Sequence, residues 1–428
     1  MNILVIGNGG REHAMCRALT SGDNPPTLYV APGNPGTARC GTNVDIGPGD
    51  IEGLVRFASD NAIDLVIPGP ELPLVLGVVD AMNAAGIPCC GPAKAPALLE
   101  GSKAHTRTVA DAVNAPSPLF TVVTTEEELE RAIAGWDGLP VVKADGLAAG
   151  KGVFLPETKA ECLAAGKLLL EGSLGDAGRT VVLEERLEGI EVSLFYACNG
   201  TDAVALPNAR DHKRLLDDDQ GPNTGGMGAI SPNPIMTPNI EAQVLEDTIL
   251  PTLRYLDQQG TPFKGFLFAG FMLTAQGPKL LEYNVRLGDP ETQAILPRLR
   301  KGDFSELCHR VATNRLQDYT LDFDPRPTCT VVMTAAGYPD KPRKGDSLQV
   351  DTALESHDRW LIHAGTAAEG DSLVTNGGRV AAIVARAETL ESARSAAYEG
   401  LEMVQFSGAH ARTDIGAPKQ EATPHKEI

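Results

Sequence analysis

The sequence predicts a multidomain protein of mixed α/β and α+β class. Three observations lead to this prediction. Short apolar segments alternate with helical patterns over residues 2–100, a more irregular glycine-rich pattern follows from about residue 103, and two prolines within 322–327 precede a third patterned region. A chain of 428 residues, with 42% apolar and 22% charged residues, has ample core material for two to four domains.

The N-terminal region is predicted to hold a parallel sheet with helices on both faces. Strands are expected at 3–6, 27–31, 65–68 and near residue 87, with helices over 11–20 and 74–85. Strands that alternate with helices are typical of crossover connections between parallel strands. We expect this α/β domain to span residues 1–102.

The middle region, expected to form a domain over 103–324, mixes strands, helices and long loops. Thr125 and Glu128 form a capping-box pattern at the start of one helix. Residues 207–238 are rich in Pro, Gly, Asn and Asp, and are predicted to be a long ordered or mobile loop, a length at which loops are usually functional or disordered. Further helices are expected over 103–113, 158–171 and 240–258, and strands over 140–144, 152–155, 180–185, 190–198, 264–274 and 278–286.

The last region is predicted to be a separate α+β domain over residues 325–420. Strands are expected over 329–336, 360–364 and 379–386, followed by a helix from Thr389 to about Met403. The polar segment after Ile415 is expected to be frayed, with residues 421–428 forming a tail outside the domain.

Composition excludes several classes of protein. The formal net charge of −19 argues against a general nucleic-acid binder, and any anionic substrate must be met by local clusters of Lys, Arg and backbone N–H groups. The eight cysteines include no CxxC pair, which argues against a zinc site or a disulfide framework. Because neither a signal peptide nor an apolar run of about 18 residues is visible, we expect a cytoplasmic protein without a membrane span.

The first motif, Gly7-Asn8-Gly9-Gly10-Arg11-Glu12-His13, follows a predicted strand. Glycines let the backbone approach a ligand closely, and the start of the next helix offers free N–H groups to a phosphate. A dinucleotide-binding loop fits poorly, since Glu12 occupies the third glycine position and the second strand runs into Ala31-Pro32-Gly33 without an acidic residue. A phosphate monoester is favoured over a purely structural turn.

The second motif, KADGLAAGKGV at 143–153, connects two predicted strands. It is not a P-loop, because Gly146 to Gly150 is one residue too short and Gly152 stands where Ser or Thr is required. Its N–H groups and lysines could close as a flap over nucleotide phosphates. The alternative is the tip of a glycine-rich hairpin.

The third motif is an acidic turn between two strands, over residues 181–191. Exposed backbone at such a hinge could bind an adenine edge, and a carboxylate could hold ribose hydroxyls. A solvated acidic turn without a ligand explains the pattern equally well.

The fourth motif is a strand with a polar face. Period-two alternation places Glu282, Asn284 and Arg286 on one face, and Leu281, Tyr283 and Val285 on a core face. Glu and Asn oxygens suit Mg²⁺ beside ATP phosphates, and Arg suits a phosphoryl group or a carboxylate. The alternative is a half-exposed strand with solvated polar residues. We expect the flap at 146–152 and this row to converge on one triphosphate.

Two weaker patterns could belong to the same site. Lys213 and Arg214 precede the glycine-rich segment 221–229, whose N–H groups could bind an anion, and Gly101-Ser102-Lys103 opens a helix from which a lysine could reach a phosphate. A surface charge pair is the ordinary explanation of either pattern.

Taken together, these segments resemble the ATP-grasp superfamily and, within it, the phosphoribosylamine–glycine ligase family of purine biosynthesis. The matching segments follow the family's order through nearly the whole chain: GNGGREHA at 7–14, APGNPGTA at 31–38, GPE at 69–71, EGSKA at 100–104, KADGLAAGKGV at 143–153, DHKR at 211–214, GPNTGGMGA at 221–229, GDPETQ at 288–293, HAGT at 363–366 and NGGRV at 376–380.

The resemblance implies a fold and a reaction. The fold would comprise an N-terminal parallel-sheet α/β domain, an ATP-grasp core with a mobile lid over about 120–190, and a C-terminal α+β domain. The reaction would join glycine to 5-phosphoribosylamine through glycyl phosphate, giving glycinamide ribonucleotide, ADP and phosphate. ATP and Mg²⁺ or Mn²⁺ would be required, without nucleic acid, membrane or an obligate protein partner.

The resemblance also implies a role for each matching residue. ATP-binding residues would be Lys103, Lys143, Gly150, Lys151, Gly152, Glu184, Glu185, Leu187 and Glu191. The metal ligands would be Glu282 and Asn284, and the catalytic groups Arg286, Asp289 and Lys213. Substrate-binding residues would be Gly9, Gly10, Arg11, Glu12, Pro70, Glu71, Asp211, Gly225, Gly226, Met227 and Glu291.

The sequence departs from this pattern at a few positions. The strand at 265–272 lacks the second metal-binding acid that many ATP-grasp enzymes carry, which puts the number of tightly bound ions in doubt. Arg107 replaces an expected Lys, and Tyr283 and Leu287 replace Phe. Alternative functions are a ribonucleotide carboxylase of the same superfamily, a catalytically silent nucleotide-binding regulator, and a nicotinamide-dependent dehydrogenase.

Overall fold

The computed structural model of the chain describes residues 1–147, 152–173, 175–300 and 302–418. Gly150 and Lys151, both predicted to bind ATP, lie outside these residues, as does the predicted tail at 421–428. Among the residues described, no helix is both long enough and apolar enough to cross a bilayer.

The N-terminal region forms the predicted parallel sheet. Its elements are β1 (Asn2–Gly7), α1 (Gly10–Leu19), β2 (Thr27–Pro32), β3 (Thr42–Asn43), α2 (Ile51–Asp60), β4 (Leu65–Pro68), α3 (Glu71–Leu76), α4 (Val78–Ala84) and α5 (Leu98–Gly101). The strand order is β3-β2-β1-β4 with parallel neighbours. The helix predicted over 74–85 is two helices, because Gly77 adopts φ +91° between them. The strand predicted near residue 87 is only a bridge between Cys89 and Val66.

A second sheet forms a separate unit over residues 120–184. After α6 (Lys103–Ala112) come β5 (Phe120–Val123), α7 (Glu126–Gly135), β6 (Val141–Ala144), β7 (Val153–Phe154), α8 (Lys159–Leu170) and β8 (Val181–Glu184). The antiparallel order is β5-β8-β6-β7. Side chains of the two helices and the sheet, including Leu129, Leu169 and Leu183, form their own apolar core. We call this unit the lid sheet; its mobility stays a prediction.

The central sheet lies across a cavity from the lid sheet. Its strands β9 (Ile190–Asn199) and β10 (Asp202–Ala205) precede the irregular segment, and β15 (Lys264–Thr274) and β16 (Gly277–Asn284) follow it. The antiparallel order is β10-β9-β15-β16. Apolar residues of β9 and β15 pack with the N-terminal sheet in a shared core.

The prediction of a loop over 207–238 is wrong. The segment contains β11 (Arg210–Asp211), β12 (Arg214–Leu216), β13 (Gln220–Asn223) and β14 (Gly228–Ser231). β14 pairs with a strand of the C-terminal region about one hundred residues later. A strand this short has little local signal, so its long-range partner decides its conformation.

The C-terminal region contains two sheets. Before it, α9 (Pro238–Val244) continues through a π turn at 245–249 into α10 (Leu250–Gln258), and α11 (Glu291–Ile295) and α12 (Asp303–Ala312) follow β16. The elements of the C-terminal region itself are β17 (Thr328–Thr334), β18 (Ser347–Val350), β19 (Arg359–His363), β20 (Thr366–Glu369), β21 (Ser372–Thr375), β22 (Arg379–Arg386), α13 (Leu390–Leu401) and β23 (Val404–Gln405). The strand orders are β11-β14-β17-β22-β19 and β20-β21-β18-β23. The second sheet was not predicted.

Candidate active site

A cavity lies between the lid sheet and the central sheet. Its lining includes Leu147, Gly152 and Val153 from the glycine-rich loop, and Glu282 and Asn284 from β16. The described residues of the loop and the polar row therefore line one cavity, and their convergence on one triphosphate stays a prediction. The rest of the lining comes from α3, α5, α6, β16 and the segment that follows β16, namely Glu71, Leu99, Glu100, Lys103, Thr106, Arg107, Leu281, Tyr283 and Arg286.

A β-bulge in β16 changes the predicted alternation. Gly270 of β15 pairs with Glu282, but Phe271 pairs with Leu280, so Leu281 is the extra residue. Leu280 and Tyr283 are buried, whereas Leu281 is half-buried and lines the cavity. The prediction that Leu281 belongs to the core face is therefore wrong, because an inserted residue shifts the period of two.

Lysines form a local positive cluster beside Glu282. Burial would raise the pKa of this carboxyl, but Lys213, Lys143 and Lys103 together lower it, so Glu282 is ionised. The Lys213 ammonium lies 2.8 Å from Glu191 and 4.0 Å from Glu282. Burial lowers the pKa of Lys103. The acidic chain thus carries the local cations that an anionic substrate requires.

Asp145 fixes the base of the glycine-rich loop against α6. Its Oδ1 accepts hydrogen bonds from the hydroxyl of Ser102 at 3.0 Å and from the N–H of Ala104 at 2.7 Å. The Lys103 ammonium donates to the carbonyl of Gly146 at 3.2 Å. A carboxylate at a helix N-terminus is favoured by the free N–H groups and the helix dipole. The loop and the helix that carries Lys103 are therefore held together.

Arg286 is surrounded by acidic groups. Its guanidinium lies 2.7 Å from Glu100 and 3.3 Å from Glu71, and it donates to the side-chain oxygen of Asn284 at 3.2 Å. Glu100 also accepts the N–H of Val285 at 2.8 Å. Burial would raise the pKa of Glu71, but Arg286 and Arg11 lower it. Glu100 was not predicted from the sequence. The available signal was that it is the single acidic residue in the short, otherwise apolar helix α5.

The predicted adenine hinge at 184–187 has one buried, two half-buried and one exposed position. Glu184 is buried and paired with Lys143 at 2.6 Å. Glu185 lies 3.2 Å from Lys279, and its N–H donates to the carbonyl of Leu119. Leu187 is half-buried. Glu191, expected near the ribose, is exposed and holds Lys213.

The N-terminal glycine loop is filled by a side chain of its own. The N–H of Gly9 donates to Glu12 at 2.6 Å, and Arg11 forms an ion pair with the other Glu12 oxygen at 2.6 Å. A Cβ atom added at Gly7 would lie 2.6 Å from the Glu12 carboxyl carbon, and one added at Gly10 would meet Gln293. The idea that the N–H of Gly9 cradles a phosphate is therefore corrected, because a buried carboxylate already uses it. Pro70 is half-buried at the start of α3.

The glycine-rich segment at 224–227 also uses its N–H groups internally. Those of Gly225, Gly226 and Met227 donate to the Tyr338 hydroxyl, the Thr224 hydroxyl and the His212 carbonyl. The expectation that this segment offers them to an anion is wrong. Met227 is also wrong as a substrate contact, since its side chain is fully buried in the C-terminal core and its carbonyl accepts from Val332.

A second charged cluster lies where β11, α11 and β22 meet. Burial and the negative charge of Glu291 raise the pKa of Asp211 well above its ordinary value, and burial also raises that of Glu291. Arg379, which sequence reasoning missed, lies 3.1 Å from Asp289 and donates to the carbonyls of Asp289 and Gly225. The C-terminal region thus contacts this cluster through Arg379, whose occurrence in the NGGRV segment was the available signal.

Family models match three consecutive parts of the chain. They are the N domain of phosphoribosylglycinamide synthetase over residues 1–100, its ATP-grasp (A) domain over 101–292, and its C domain over 328–418.

The chain belongs to the phosphoribosylglycinamide synthetase family.

Relatives and solved structures agree with membership of the phosphoribosylglycinamide synthetase family. The chain is 44% identical to phosphoribosylamine–glycine ligase of Brucella melitensis over 97% of both chains, and 46% identical to that of Allochromatium vinosum over 97% of this chain and 98% of the relative. The crystal structure of phosphoribosylamine–glycine ligase from Thermotoga maritima superposes with a TM-score of 0.85 at 35% identity, covering 97% of this chain and 100% of that one.

More distant structures share the fold. The biotin carboxylase domain of 2-oxoglutarate carboxylase from Hydrogenobacter thermophilus superposes with a TM-score of 0.74 at 15% identity, covering 96% of this chain and 91% of that one. The predicted fold class, an N-terminal parallel α/β domain with an ATP-grasp core and a C-terminal α+β domain, is confirmed.

Proposed function

We propose that the chain ligates glycine to 5-phosphoribosylamine at the expense of ATP, in purine biosynthesis. The single observation that carries the proposal is the convergence of the glycine-rich loop and the polar row of β16 on one lysine-rich cavity, in a chain of this family. A triphosphate needs cations on several sides, and Lys103, Lys143 and Lys213 provide them in a chain that is otherwise strongly acidic.

The residues at the cavity fit a divalent cation. Glu282 and Asn284 follow the bulge two residues apart, both line the cavity, and the lysines keep the Glu282 carboxyl ionised. Oxygen ligands of this kind suit Mg²⁺ or Mn²⁺, which typically takes few protein ligands beside nucleotide phosphates. A bound ion would neutralise charge on the triphosphate oxygens. Gly270, opposite Glu282 on β15, offers no second carboxylate.

The reaction needs an activated carboxylate, because an amine cannot displace oxide from a free one. A glycine carboxylate oxygen attacks the γ-phosphorus of ATP, ADP leaves, and glycyl phosphate forms. The amine of phosphoribosylamine then attacks the carbonyl carbon, phosphate leaves, and the new amide nitrogen loses a proton. No covalent bond to the protein is required, so catalysis consists of positioning and charge neutralisation.

Residues around the cavity divide these tasks. Lys103 and Lys143 would bind the ATP phosphates, and Lys213 and Arg286 would stabilise charge on the transferring phosphoryl group. Arg286 is held in place by Glu71 and Glu100. The second cluster would hold glycine and phosphoribosylamine through Asp211, Asp289 and Glu291, with Arg379 fixing Asp289. Closure of the lid sheet would keep water from the acyl phosphate.

The decisive experiment measures which acceptor drives ADP release. Purified protein is given ATP, Mg²⁺ and phosphoribosylamine, with either glycine or bicarbonate, and the products are identified by mass spectrometry. Release of ADP that requires glycine and yields glycinamide ribonucleotide is expected. Bicarbonate-dependent release would make the chain a carboxylase, and ATP binding without turnover would make it a regulator.

We further propose that the chain acts on small molecules in the cytoplasm. The cysteines are unpaired throughout the described residues, and most are buried, which suits a reducing compartment. The substrates would be glycine and phosphoribosylamine, as the names of the relatives state for those proteins. Mg²⁺ and Mn²⁺ share the ligand chemistry required, so either ion would support the reaction.

A further inference from the structure

The buried side chain of Arg107 donates four hydrogen bonds. It is 1% exposed, and its Nε and Nη2 atoms donate to the two oxygens of Glu184 at 2.8 and 3.1 Å. Its Nη1 and Nη2 atoms also donate to the carbonyls of Leu280 and Leu281, at 2.9 and 2.5 Å. The rigid planar fork of a guanidinium allows these four bonds at once.

These bonds connect the three elements that face the nucleotide cavity. Arg107 lies one helical turn after Lys103 on α6. Glu184, at the end of β8, also accepts a hydrogen bond from the ammonium group of Lys143 at 2.6 Å. The carbonyls of Leu280 and Leu281 lie in the bulge that immediately precedes Glu282. One side chain therefore ties the helix of Lys103, the strands of the lid sheet and the bulge before Glu282.

The charges of the cluster follow a simple balance. Glu184 carries one negative charge and is paired with two cations, Arg107 and Lys143, so the buried group keeps one net positive charge. Burial would raise the pKa of Glu184, but Lys143 and Arg107 lower it, which keeps the carboxyl ionised. Without Arg107, Glu184 would neutralise Lys143 and weaken its attraction for phosphate oxygens.

We propose that Arg107 is a positioning residue for the nucleotide site, which holds the β16 bulge in register before Glu282 and leaves the charge of Lys143 free to bind phosphate. This proposal rests on the proposed function. A gain in stability is a poor explanation of the cluster, because buried ion pairs are often no more stabilising than apolar residues of similar volume. A lysine at position 107 would supply the charge but could not form the four bonds of the planar fork.

Four variants test this assignment: Arg107→Met, Arg107→Lys, Glu184→Gln, and the double variant Arg107→Met/Glu184→Gln. Titration calorimetry with a non-hydrolysable ATP analogue measures nucleotide affinity, glycine-dependent ADP release gives kcat and KM, and thermal denaturation gives stability. Arg412 provides a matched control, since its side chain is equally buried and paired with Asp219 and Asp414, and it is not among the residues that line the cavity. The control variant Arg412→Met should lose stability and keep its affinity for the analogue.

Arg107→Met is expected to weaken binding of the ATP analogue and to lower kcat, each by about 10- to 100-fold. Arg107→Lys should recover most of the affinity but little of kcat, because the charge returns without the bonds to the bulge. The double variant should bind the analogue more tightly than Arg107→Met, because Lys143 is no longer neutralised, while kcat stays low. A purely structural role would not separate affinity from kcat in this way.

The proposal is overturned if Arg107→Met binds the analogue as tightly as the parent chain, or if its losses follow stability alone, as in Arg412→Met. Full recovery of kcat in Arg107→Lys would also overturn it. Failure of the proposed function is distinguishable, because the parent chain would then show no glycine-dependent ADP release, whereas the shifts in analogue affinity among the variants would persist.

Discussion

Two kinds of glycine-rich segment can be compared in this molecule. In the segments at 7–10 and 224–227, backbone N–H groups bond to side chains or carbonyls of the chain itself, such as Glu12 and Tyr338. In the loop at 143–153, by contrast, the described residues Leu147, Gly152 and Val153 border a cavity together with Lys103 and Glu282. The sequences look alike because each requires close approach of the backbone. The two kinds of segment differ in what lies next to the backbone. In the first it is another group of the protein, and in the second it is a cavity lined by cations.

The comparison teaches that a glycine-rich motif predicts close contact but not the identity of the partner. Glu12 is the extreme example, since it belongs to the motif that was expected to bind an anion and supplies an anion itself. Charged groups from other elements decide the difference. The cavity draws its lysines from α6, β6 and the segment after β11, whereas the N-terminal loop receives a carboxylate from its own helix.

The largest effect is expected from removing the carboxylate of the cavity. Glu282→Ala should lower glycine-dependent turnover by about a thousandfold or more, because the divalent ion and the lysines lose a shared charged partner. Thermal stability should change little, since the side chain is 43% exposed. Glu369→Ala, at an exposed position of β20, is the matched control. Near-normal activity would contradict the metal assignment.

The N-terminal loop should respond in the opposite manner, by losing stability. Glu12→Ala leaves the buried Arg11 guanidinium unpaired and the N–H of Gly9 without its acceptor. We expect the free energy of unfolding to fall by about 3–5 kcal/mol, as measured by urea denaturation. Arg11→Met/Glu12→Gln, which removes both charges, should recover part of that loss. An unchanged stability with a raised KM for phosphoribosylamine would show that Glu12 serves the substrate instead.

A fall in pH should destabilise the contact between α1 and β19. His13 accepts the N–H of His363 at 2.9 Å, which ties α1 to β19, and burial lowers the pKa of His363 to about 4. The unfolded chain binds this proton near pH 6.5, so stability is lost as pH falls from 6.5 to 4 and then levels off.

The contribution of His363 over that window is expected to be about 3 kcal/mol. His363→Gln should flatten the pH dependence of the free energy of unfolding between pH 6.5 and 4. The same change at the exposed His357 should leave the slope intact. If both variants retain the slope of the parent chain, other groups govern its acid sensitivity.

The smallest effect tests whether the lid sheet behaves as a separate unit. The Thr125 hydroxyl accepts the N–H of Glu128 at 3.2 Å at the start of α7. Thr125→Ala should destabilise the lid sheet by about 1 kcal/mol, seen as faster hydrogen exchange in α7. Thr389→Ala removes the equivalent cap of α13 and should leave exchange in α7 unchanged. Equal acceleration throughout the chain would mean that the lid sheet unfolds only with the rest.

Local patterns predicted much of the fold. The strand at 65–68, the strand at 379–386 and the long strand at 264–274 lie where the sequence places them, because each combines a continuous apolar run with clear ends. The strands at 210–231 and the C-terminal strands β18, β20, β21 and β23 were missed. These are short, and pairing with distant strands stabilises them more than local propensity does.

The sequence by itself determined the fold class, the family, and the residue types of the cavity, because the glycines, the lysines and the Glu-x-Asn-x-Arg row occur in short continuous motifs. Only the tertiary structure decided which N–H groups remain available, that a bulge brings Leu281 into the cavity, and that Glu100, Arg107 and Arg379 join the site. Hydrogen bonds between residues far apart in sequence decide these contacts; local patterns marked Glu100 and Arg379 by position but did not reveal their partners.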